Sequence, residues 1–438
     1  MTTNNQNSTL NCNSSAHISR RNILKAAGLG CASWLTPLST QLAFSAEKEQ
    51  KKKRPKSVIM LWLQGAPSQF ETFDPHAGTK YGGETKAIKT NLKGVEFSDN
   101  MPQSAEIMQD LTLLRGVLSK EGDHERAAYN MKTGYRPDPT LIHPSIGAIV
   151  CHELSATGLE IPRHVSILPG PWPGRGGFLG NGHDAFKMYD PKDPLPDLIR
   201  QVPEARFAQR RKDLNVLENS FLARRRSDLE KNKTIHLGTV DSAIKMMSSE
   251  QIKAFDISKT PKALLDDFGD TPFGRGCLCA TQLIETGVRC VEITLTGWDS
   301  HVNNHEIQKG RTEILDPAFA ALIKLLKEKD QYDDTIVICC GEFGRTPGTN
   351  PLGGRDHWPH GFSVALGGGG IRRGLVLGET DPDGSKVTAE DKDAYNVEDI
   401  HATIHHALGI DYTLEYNTPV GRPMAISHGK VIDKILDV

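Results

Sequence analysis

The 438-residue sequence has no strong excess of charge of either sign, because 52 basic and 54 acidic residues leave a formal net charge of −2. A chain so evenly charged is not drawn as a whole to nucleic acid. It also lacks any uninterrupted apolar run near the ~20 residues that a membrane-spanning helix needs. Apolar residues make up 37% of the chain, which argues against disorder. The length suits one large α/β domain or two smaller ones.

Cysteine is scarce, and its spacing does not predict a zinc ribbon. The eight residues are Cys12, Cys31, Cys151, Cys277, Cys279, Cys290, Cys339 and Cys340. Cys277 and Cys279 stand two apart, with no second pair at the spacing that such a site needs. We expect most cysteines to be small core residues, with Cys339 and Cys340 on opposite faces of one strand. A disulfide between distant cysteines stays open in an oxidising compartment.

The N-terminal residues follow the order of an export signal. Arg20 and Arg21 form a twin-arginine pair, an apolar segment follows, and small residues come after it at Ala43 and Ser45. This order predicts a twin-arginine signal peptide over residues 1–46 and a periplasmic or extracellular protein. A disordered tail with a chance pair of arginines is the alternative. The twin-arginine route exports folded protein, which fits a cofactor acquired before export.

Six short apolar runs predict strands, with helical patterns between several of them. The runs are 57–63, 111–117, 164–168, 290–296, 335–340 and 362–366. Residues 315–329 carry apolar side chains at helical spacing. Strands alternating with helices predict a mostly parallel sheet with helices on both faces, over residues 57–438 and after a charged linker at 47–56. Residues 193–265, rich in charge and leucine, predict a helical insertion.

Candidate site residues concentrate between Asp299 and His360, a stretch that holds four of the sixteen histidines. In an open α/β sheet, the carboxyl ends of the strands form the ligand-binding edge. Asp299 and His301 follow the strand at 290–296, and they face the same way if that segment is extended. Carboxylate together with imidazole suits Zn, Fe or Mn. A polar loop whose histidines bond to the backbone is the alternative.

Two more segments of this stretch carry candidates. In G-E-F-G-R-T-P, Glu342 follows the strand at 335–340, and Arg345 is placed to hold an anion such as phosphate or sulfate. An ion pair between these two residues that braces the loop stays open. In G-R-D-H-W-P-H, Asp356 either binds metal directly or orients His357. The candidate metal ligands are Asp299, His301, Glu342, Asp356 and His357.

Residues outside this stretch are weaker candidates. Ser68 follows the first strand, but it is not part of a G-x-S-x-G elbow, so a turn or helix-cap role is favoured over a nucleophile. His124 follows the second strand. His124 and His360 are the candidates for proton transfer.

The order of these motifs resembles the alkaline phosphatase and sulfatase superfamily. The segment from Arg126 to Pro137 resembles the sulfatase S-R-a-x-x-x-T-G-r-y-P, and Asp333 to Ile338 resembles the strand before a metal-binding Asp-His-Gly. The motifs G-W-D-S-H, G-E-F-G-R-T-P and G-R-D-H-W-P resemble more closely the domain-of-unknown-function family number 1501, a branch of exported bacterial proteins. This resemblance covers roughly residues 55–435 and implies an alkaline phosphatase-like three-layer α/β sandwich.

The chain departs from the sulfatase pattern where the chemistry would be expected. Gly122 stands four residues before Arg126, in the place of the Cys or Ser nucleophile, so no formylglycine forms there. Gln64 and Gly65 end the first strand in place of paired metal-binding aspartates. Glu342-Phe343-Gly344 replaces Asp-His-Gly. The resemblance therefore implies the fold but not the sulfatase mechanism.

Two functions are expected from these observations. The first is an exported hydrolase of phosphate or sulfate esters that uses a divalent ion (Zn, Mn, Ca or Mg) and a metal-bound hydroxide as nucleophile. In it Arg345 holds the anion, and His124 or His360 transfers a proton. The second is a non-catalytic exported scaffold that keeps the fold. The expected partners are an anionic ester substrate and the twin-arginine export machinery, with no nucleic acid and no stable membrane span.

Overall fold

The computed structural model describes residues 56–223, 235–387 and 394–437. The predicted signal peptide at 1–46, nearly all of the predicted linker, and residues 224–234 of the predicted insertion lie outside the described residues. Among the helices that the structure describes, none has the length and apolar character of a membrane span.

The strands, numbered along the chain, are β1 (Ser57–Gln64), β2 (Ala87–Lys89), β3 (Glu96–Ser98), β4 (Leu111–Leu118), β5 (His164–Ile167), β6 (Phe186–Met188), β7 (Cys290–Thr296), β8 (Thr335–Cys340), β9 (Gly344–Arg345), β10 (His357–Trp358), β11 (Phe362–Gly368), β12 (Leu375–Leu377), β13 (Tyr395–Asn396), β14 (Glu415–Asn417) and β15 (Pro423–Ala425). The helices are α1 (Pro102–Ala105), α2 (His124–Thr133), α3 (Ile146–Glu153), α4 (Glu204–Leu222), α5 (Ile235–Ser248), α6 (Lys262–Asp267), α7 (Pro272–Thr286), α8 (Asn304–Glu328) and α9 (Val397–Leu408).

Nine strands form the central sheet, in the order β12-β4-β11-β8-β1-β7-β5-β6, with β13 also paired to β4. β1 pairs in parallel with β7 and β8, and β5 pairs in parallel with β7 and β6. β11 runs antiparallel to both of its neighbours, β4 and β8. All six strands predicted from apolar runs are present, and the helix predicted at 315–329 is part of α8. The predicted mostly parallel sheet is therefore confirmed.

Both faces of the sheet are covered, as the continuous apolar sequence of β1 predicts. Ile59, Leu61 and Leu63 pack in one core, together with side chains of α7 and α8. Val58, Met60 and Trp62 pack in the other core, together with side chains of α2, α3 and α9. Alternate residues of one strand thus reach opposite layers, which gives the predicted three-layer sandwich.

The six cysteines among the described residues are buried and form no disulfide. Cys339 packs in the core shared with α7 and α8, and Cys340 in the core on the other face. Their predicted placement on opposite faces of β8 is confirmed. Burial raises the pKa of the Cys340 thiol to about 12, so it stays protonated and unreactive at neutral pH.

Candidate metal centre

Four chain segments meet at one edge of the sheet because of the strand directions. β1, β7 and β8 end there, and the loops after β7 and β8 carry Asp299 and Glu342. Since β11 runs antiparallel to β8, the segment that precedes it, with His357, reaches the same edge. Helix α2 follows β4 and begins with His124, where Asp123 caps the helix by accepting from the Arg126 backbone N–H. Residues far apart in sequence therefore surround one point.

His124, Asp299 and His357 offer three ligand atoms that all lie within 4.8 Å of one another. Asp299 Oδ1 is 3.4 Å from His124 Nε2 and 3.6 Å from His357 Nε2. His301 lies beside this group, with its Nε2 3.1 Å from Asp299 Oδ1 and 3.0 Å from His357 Nε2. Ligand atoms around a tetrahedral zinc with bonds of ~2.0–2.1 Å are separated by about 3.3 Å. The measured separations are close to that spacing.

Each of the three imidazoles has its Nδ1 atom engaged by an oxygen. The pairs are His124 with Glu342 Oε1 at 2.6 Å, His301 with Asp356 Oδ1 at 2.8 Å, and His357 with the Gly122 carbonyl at 2.8 Å. A hydrogen on each Nδ1 satisfies these contacts and leaves a lone pair on each Nε2, the atom that lies near Asp299 Oδ1. Histidines that bind metals in proteins are oriented in this way. The buried Nε2 of His124 has no hydrogen-bond partner among the described residues, which fits an atom placed to bind an ion.

The surroundings of His124 and His357 shift their pKa values in opposite directions. Burial lowers the pKa of His124, but the hydrogen bond to Glu342 and the charges of Glu342 and Asp299 outweigh burial and raise it. Burial lowers the pKa of His357, and the bond to the Gly122 carbonyl does not compensate. Without an ion, His124 therefore holds a second proton more readily than His357 does. A cation competes with that proton for the same nitrogen.

Arg345 is placed differently from the expectation that it grips an anion, because its side chain is fully buried. Its Nε donates to the Ala66 carbonyl at 3.0 Å, its Nη1 to the Arg355 carbonyl at 3.2 Å, and its Nη2 to the Gly65 carbonyl. Nη2 also donates to Asp299 Oδ1 at 2.7 Å. Burial by itself raises the pKa of Asp299, but this bond and the charge of Arg345 outweigh it and lower the pKa. Arg345 thus holds Asp299 in place as a charged carboxylate.

Glu342 and Asp356, which were expected among the ligands, lie one contact further out. Glu342 is fully buried, and its Oε1 accepts from the Gly65 backbone N–H at 2.9 Å as well as from His124. Asp356 contacts Nδ1 of His301, the side of the ring away from Asp299. Of its two predicted roles, orientation of a histidine therefore fits the geometry better, although the histidine is His301 and not the adjacent residue.

Close backbone approaches hold the loops of the centre together. Gly65 has a φ of +108°, and a Cβ at that position would lie 2.6 Å from the Asp299 backbone nitrogen. Both the backbone conformation and the space therefore require glycine after β1. On the other side, Asn350 Nδ2 donates to the His301 carbonyl at 2.9 Å, and the Arg355 backbone N–H donates to the Ser300 carbonyl. The loop between β9 and β10 thus fixes the loop after β7.

Two other candidates stand apart from this centre. His360 is exposed, and its imidazole makes no hydrogen bond or ion pair with any described residue. Ser68 is fully buried in a turn, where its backbone N–H donates to Gln308 Oε1 at 3.0 Å and its carbonyl accepts from Thr72 Oγ1. The turn role favoured for Ser68 therefore fits the structure better than the role of nucleophile.

Gln308 and Gly122 were not among the candidates, although each supports the centre. Besides Ser68, Gln308 contacts the Trp298 carbonyl and Ser300 Oγ, so one buried amide joins the loops after β1 and β7. Gly122 contributes only its carbonyl, which every residue has. Gln308 could have been found from the sequence, because it is a polar residue at a core position of the α8 pattern. The sequence does not indicate the role of Gly122.

Comparison with known proteins identifies a family and distant structural neighbours. Residues 55–436 match the family described as protein of unknown function (DUF1501). A search of curated proteins finds no match. The chain is similar to the lipoteichoic acid synthase LtaP from Listeria monocytogenes, with 10% identity, coverage of 82% of this chain and 72% of that chain, and a TM-score of 0.38.

Two further solved structures show a similar degree of likeness. The PsFucS1 sulfatase from Pseudoalteromonas sp. has 13% identity, coverage of 87% of this chain and 74% of its own, and a TM-score of 0.41. The alkaline phosphatase from the Antarctic bacterium TAB5 has 14% identity, coverage of 82% of this chain and 99% of its own, and a TM-score of 0.36. At this low identity, the solved structures do not assign a role to any residue of this chain.

Proposed function

This chain belongs to the family of proteins of unknown function DUF1501, and we propose that it is a metal-dependent hydrolase of phosphate or sulfate esters. One observation carries the proposal. Three histidines have Nδ1 held by an oxygen, and each has Nε2 within 3.6 Å of the same Asp299 oxygen. Imidazole and carboxylate ligands in this arrangement suit Zn, Mn or Fe better than Mg or Ca.

The residues of the centre divide into those that hold the ion and those that position them. His124, Asp299, His301 and His357 hold it. Glu342 and Asp356 orient two of the rings, while Arg345 fixes the carboxylate. An ion bound there supplies Lewis-acid chemistry, since it polarises an ester oxygen and lowers the pKa of water. The ester class follows from the motif resemblance to phosphatases and sulfatases.

The attacking group in this proposal is water, because the residues that the structure describes place no accessible Ser or Cys side chain at the centre. Gly122 stands where sulfatases carry theirs, and the Ser68 side chain is fully buried. His360 is exposed three residues after His357, so it remains the proposed group for proton transfer to the leaving alcohol. His124, by contrast, is assigned to the ion because Glu342 occupies its other nitrogen.

Metal content and ester hydrolysis of the purified mature protein test this function together. We expect about one bound transition-metal ion per chain, and hydrolysis of 4-nitrophenyl phosphate or 4-nitrophenyl sulfate that a chelator abolishes. The variants His357→Ala and Asp299→Ala should lose both properties. His406→Ala, which removes an exposed histidine of α9, is the matched control and should keep both.

The outcomes separate the proposal from its rival. The proposed hydrolase would be wrong if the purified protein contained no metal and the background rate of ester hydrolysis were the same in the wild type, His357→Ala and Asp299→Ala. A protein that binds metal through these residues yet hydrolyses neither ester would instead be the exported scaffold, in which the ion serves structure or binding.

A further inference from the structure

Residues 380–387 form a small hairpin, called the strap below, that packs on the loop after β1. Its two ends pair, since Thr380 and Val387 form an isolated antiparallel bridge. Within it, the Asp381 backbone N–H donates to the Lys386 carbonyl at 2.8 Å, and the Lys386 backbone N–H donates to Asp381 Oδ1 at 3.1 Å. The strap is therefore held in shape by its own hydrogen bonds.

The strap covers an aromatic ring whose neighbours support the candidate metal centre. A Cβ on Gly384 would lie 2.8 Å from the Phe70 ring, so the strap and this ring are in close contact. The Arg355 guanidinium lies 4.4 Å from the centre of the same ring. The Arg355 backbone N–H donates to the Ser300 carbonyl, and its own carbonyl accepts from Arg345. The strap thus closes over residues that hold the loops of the centre.

One imidazole, that of His76, joins the strap to the loop after β1. Its Nδ1 lies 3.0 Å from the Pro382 carbonyl. Its Nε2 lies 2.7 Å from Thr380 Oγ1 and 3.1 Å from Asp74 Oδ2. The side chains of His76 and Asp74 are only 12% and 6% exposed, so water competes little for these contacts.

The partners of His76 require a hydrogen on both of its ring nitrogens. The Pro382 carbonyl can only accept, so Nδ1 must donate to it. Thr380 Oγ1 already donates its hydrogen to Asp74 Oδ2 at 2.6 Å, so both oxygens near Nε2 act as acceptors. A ring with two N–H groups is an imidazolium and carries a positive charge. A neutral ring would turn a lone pair towards an oxygen on one side and lose a hydrogen bond there.

The charges around His76 favour the protonated ring. Asp74 lies in the loop after β1, Arg115 of β4 lies 3.2 Å from Asp74 Oδ1, and Asp381 of the strap interacts with His76 through its charge. Burial by itself lowers the pKa of His76. The hydrogen bond and charge of Asp74, together with the bond to the Pro382 carbonyl, outweigh burial and raise this pKa above its ordinary value of 6.5. The opposing charge of Arg115 does not reverse the shift.

We propose that the imidazolium of His76 fastens the strap to the loop after β1, as a latch that opens when one ring proton is lost to solvent. A neutral His76 keeps its bond to only one side, either the Pro382 carbonyl or Asp74. The stabilisation from the latch is therefore present in full below pH 6.5, and it is lost as the pH rises through the raised pKa of His76. The latch needs neither metal nor turnover, so it goes beyond the proposed hydrolase and does not depend on it.

Limited trypsin digestion of the purified protein tests the latch, because the peptide bond after Lys386 lies in the strap. Cleavage after Lys253, whose side chain is 73% exposed and lies outside the strap, is an internal reference that cancels the pH dependence of trypsin. In the wild type, we expect the ratio of the two cleavage rates to rise about tenfold from pH 6.5 to pH 9. This is the effect expected from the loss of one hydrogen bond to a charged group.

Two variants show whether His76 is the group that titrates. His76→Gln keeps a polar side chain that does not titrate, so its cleavage ratio should already be high at pH 6.5 and should not change up to pH 9. His428→Gln removes an exposed histidine outside the strap, and as the matched control it should keep the wild-type profile.

Either of two results would overturn the latch. The first is a wild-type ratio that does not change between pH 6.5 and pH 9. The second is a ratio in His76→Gln that rises with pH as the wild-type ratio does. Because the wild-type profile alone can refute the latch, the test remains decisive even if His76→Gln folds poorly.

Discussion

At the scale of single residues, the centre depends on oxygens that never touch the proposed ion. Glu342, Asp356 and the Gly122 carbonyl each bind one Nδ1 atom and thereby decide which nitrogen of each ring is free. A free imidazole interconverts between two tautomers, and only one of them presents a lone pair at Nε2. These three contacts therefore hold the three imidazoles with Nε2 turned towards the proposed ion.

Asp356→Asn tests this orienting role at a position where folding is not at risk, because the side chain is 54% exposed. We expect metal affinity to fall by roughly 10- to 100-fold, the usual effect of losing a carboxylate behind a ligating histidine. Competition with a chromophoric chelator measures the affinity. Asp411→Asn, a loop carboxylate that caps the Thr413 backbone N–H, is the control. Unchanged affinity in Asp356→Asn would show that His301 needs no support or does not bind.

At the scale of elements, a buried ion pair joins the sheet to the helix that carries His124. Glu292 on β7 and Lys132 on α2 are almost completely buried, and Glu292 Oε2 also accepts from the Gly174 backbone N–H at 3.0 Å. Three elements thus meet at one carboxylate. Burial alone raises the pKa of Glu292, but the charge of Lys132 and the bond with His164 outweigh burial, and the pKa falls to about 2.

This depressed pKa predicts a pH dependence of stability. A carboxyl with a folded-state pKa of about 2 and an unfolded value near 4.5 stabilises the protein fully above pH 4.5, and the contribution is lost as the pH falls towards 2. The shift corresponds to a contribution on the order of 3 kcal/mol. Between pH 5 and 3, the free energy of unfolding of Glu292→Gln should therefore fall less steeply than that of the wild type.

Urea denaturation at several pH values measures this slope. Glu285→Gln, which removes an exposed partner of Lys329, is the control and should keep the wild-type slope. Glu292→Gln should also be less stable at neutral pH by about 3–5 kcal/mol, because it leaves Lys132 buried without its counter-ion. Parallel slopes for the wild type and Glu292→Gln would contradict the role given to this pair.

At the scale of the whole molecule, one sheet brings the centre together, and the antiparallel strand β11 is the decisive feature. A parallel β11 would place the residues before it at the opposite edge, away from Asp299 and Glu342. Instead His357 arrives beside them, and the β9–β10 pairing sets it opposite Arg345. The fold thereby brings together the proposed ligands from the loops after β4 and β7 and from the loop before β11.

The whole-molecule prediction concerns export, since folding and metal loading would precede passage through the twin-arginine route. Replacing Arg20 and Arg21 together by lysine should leave the uncleaved precursor in the cytoplasm, because that route reads the arginine pair. Cell fractionation measures where the protein is located, and mass spectrometry of the purified protein shows whether the signal peptide has been removed. Replacing Lys51 and Lys52 by glutamine is the control for loss of basic charge. Normal export of the lysine variant would refute the signal.

The sequence by itself determined the main strands of the central sheet and the sheet edge where the candidate site lies. Apolar runs are local, so strands such as β1 and β8 could be found with nearly their observed bounds, and the faces of Cys339 and Cys340 followed from the two-residue period of a strand. Asp299, His301 and His357 could be proposed because each follows or precedes a strand at that edge.

Only the tertiary structure decided which atoms converge. Spacing along the chain relates residues within one element, whereas the distance from His124 to Asp299 depends on the order of β4, β8 and β7 in the sheet. For the same reason Glu342 and Arg345 could be placed at the edge but not assigned a direction. In the structure Glu342 contacts His124 and Arg345 contacts Asp299. The group that orients His357 is the Gly122 backbone carbonyl, which a sequence cannot mark because every residue has one.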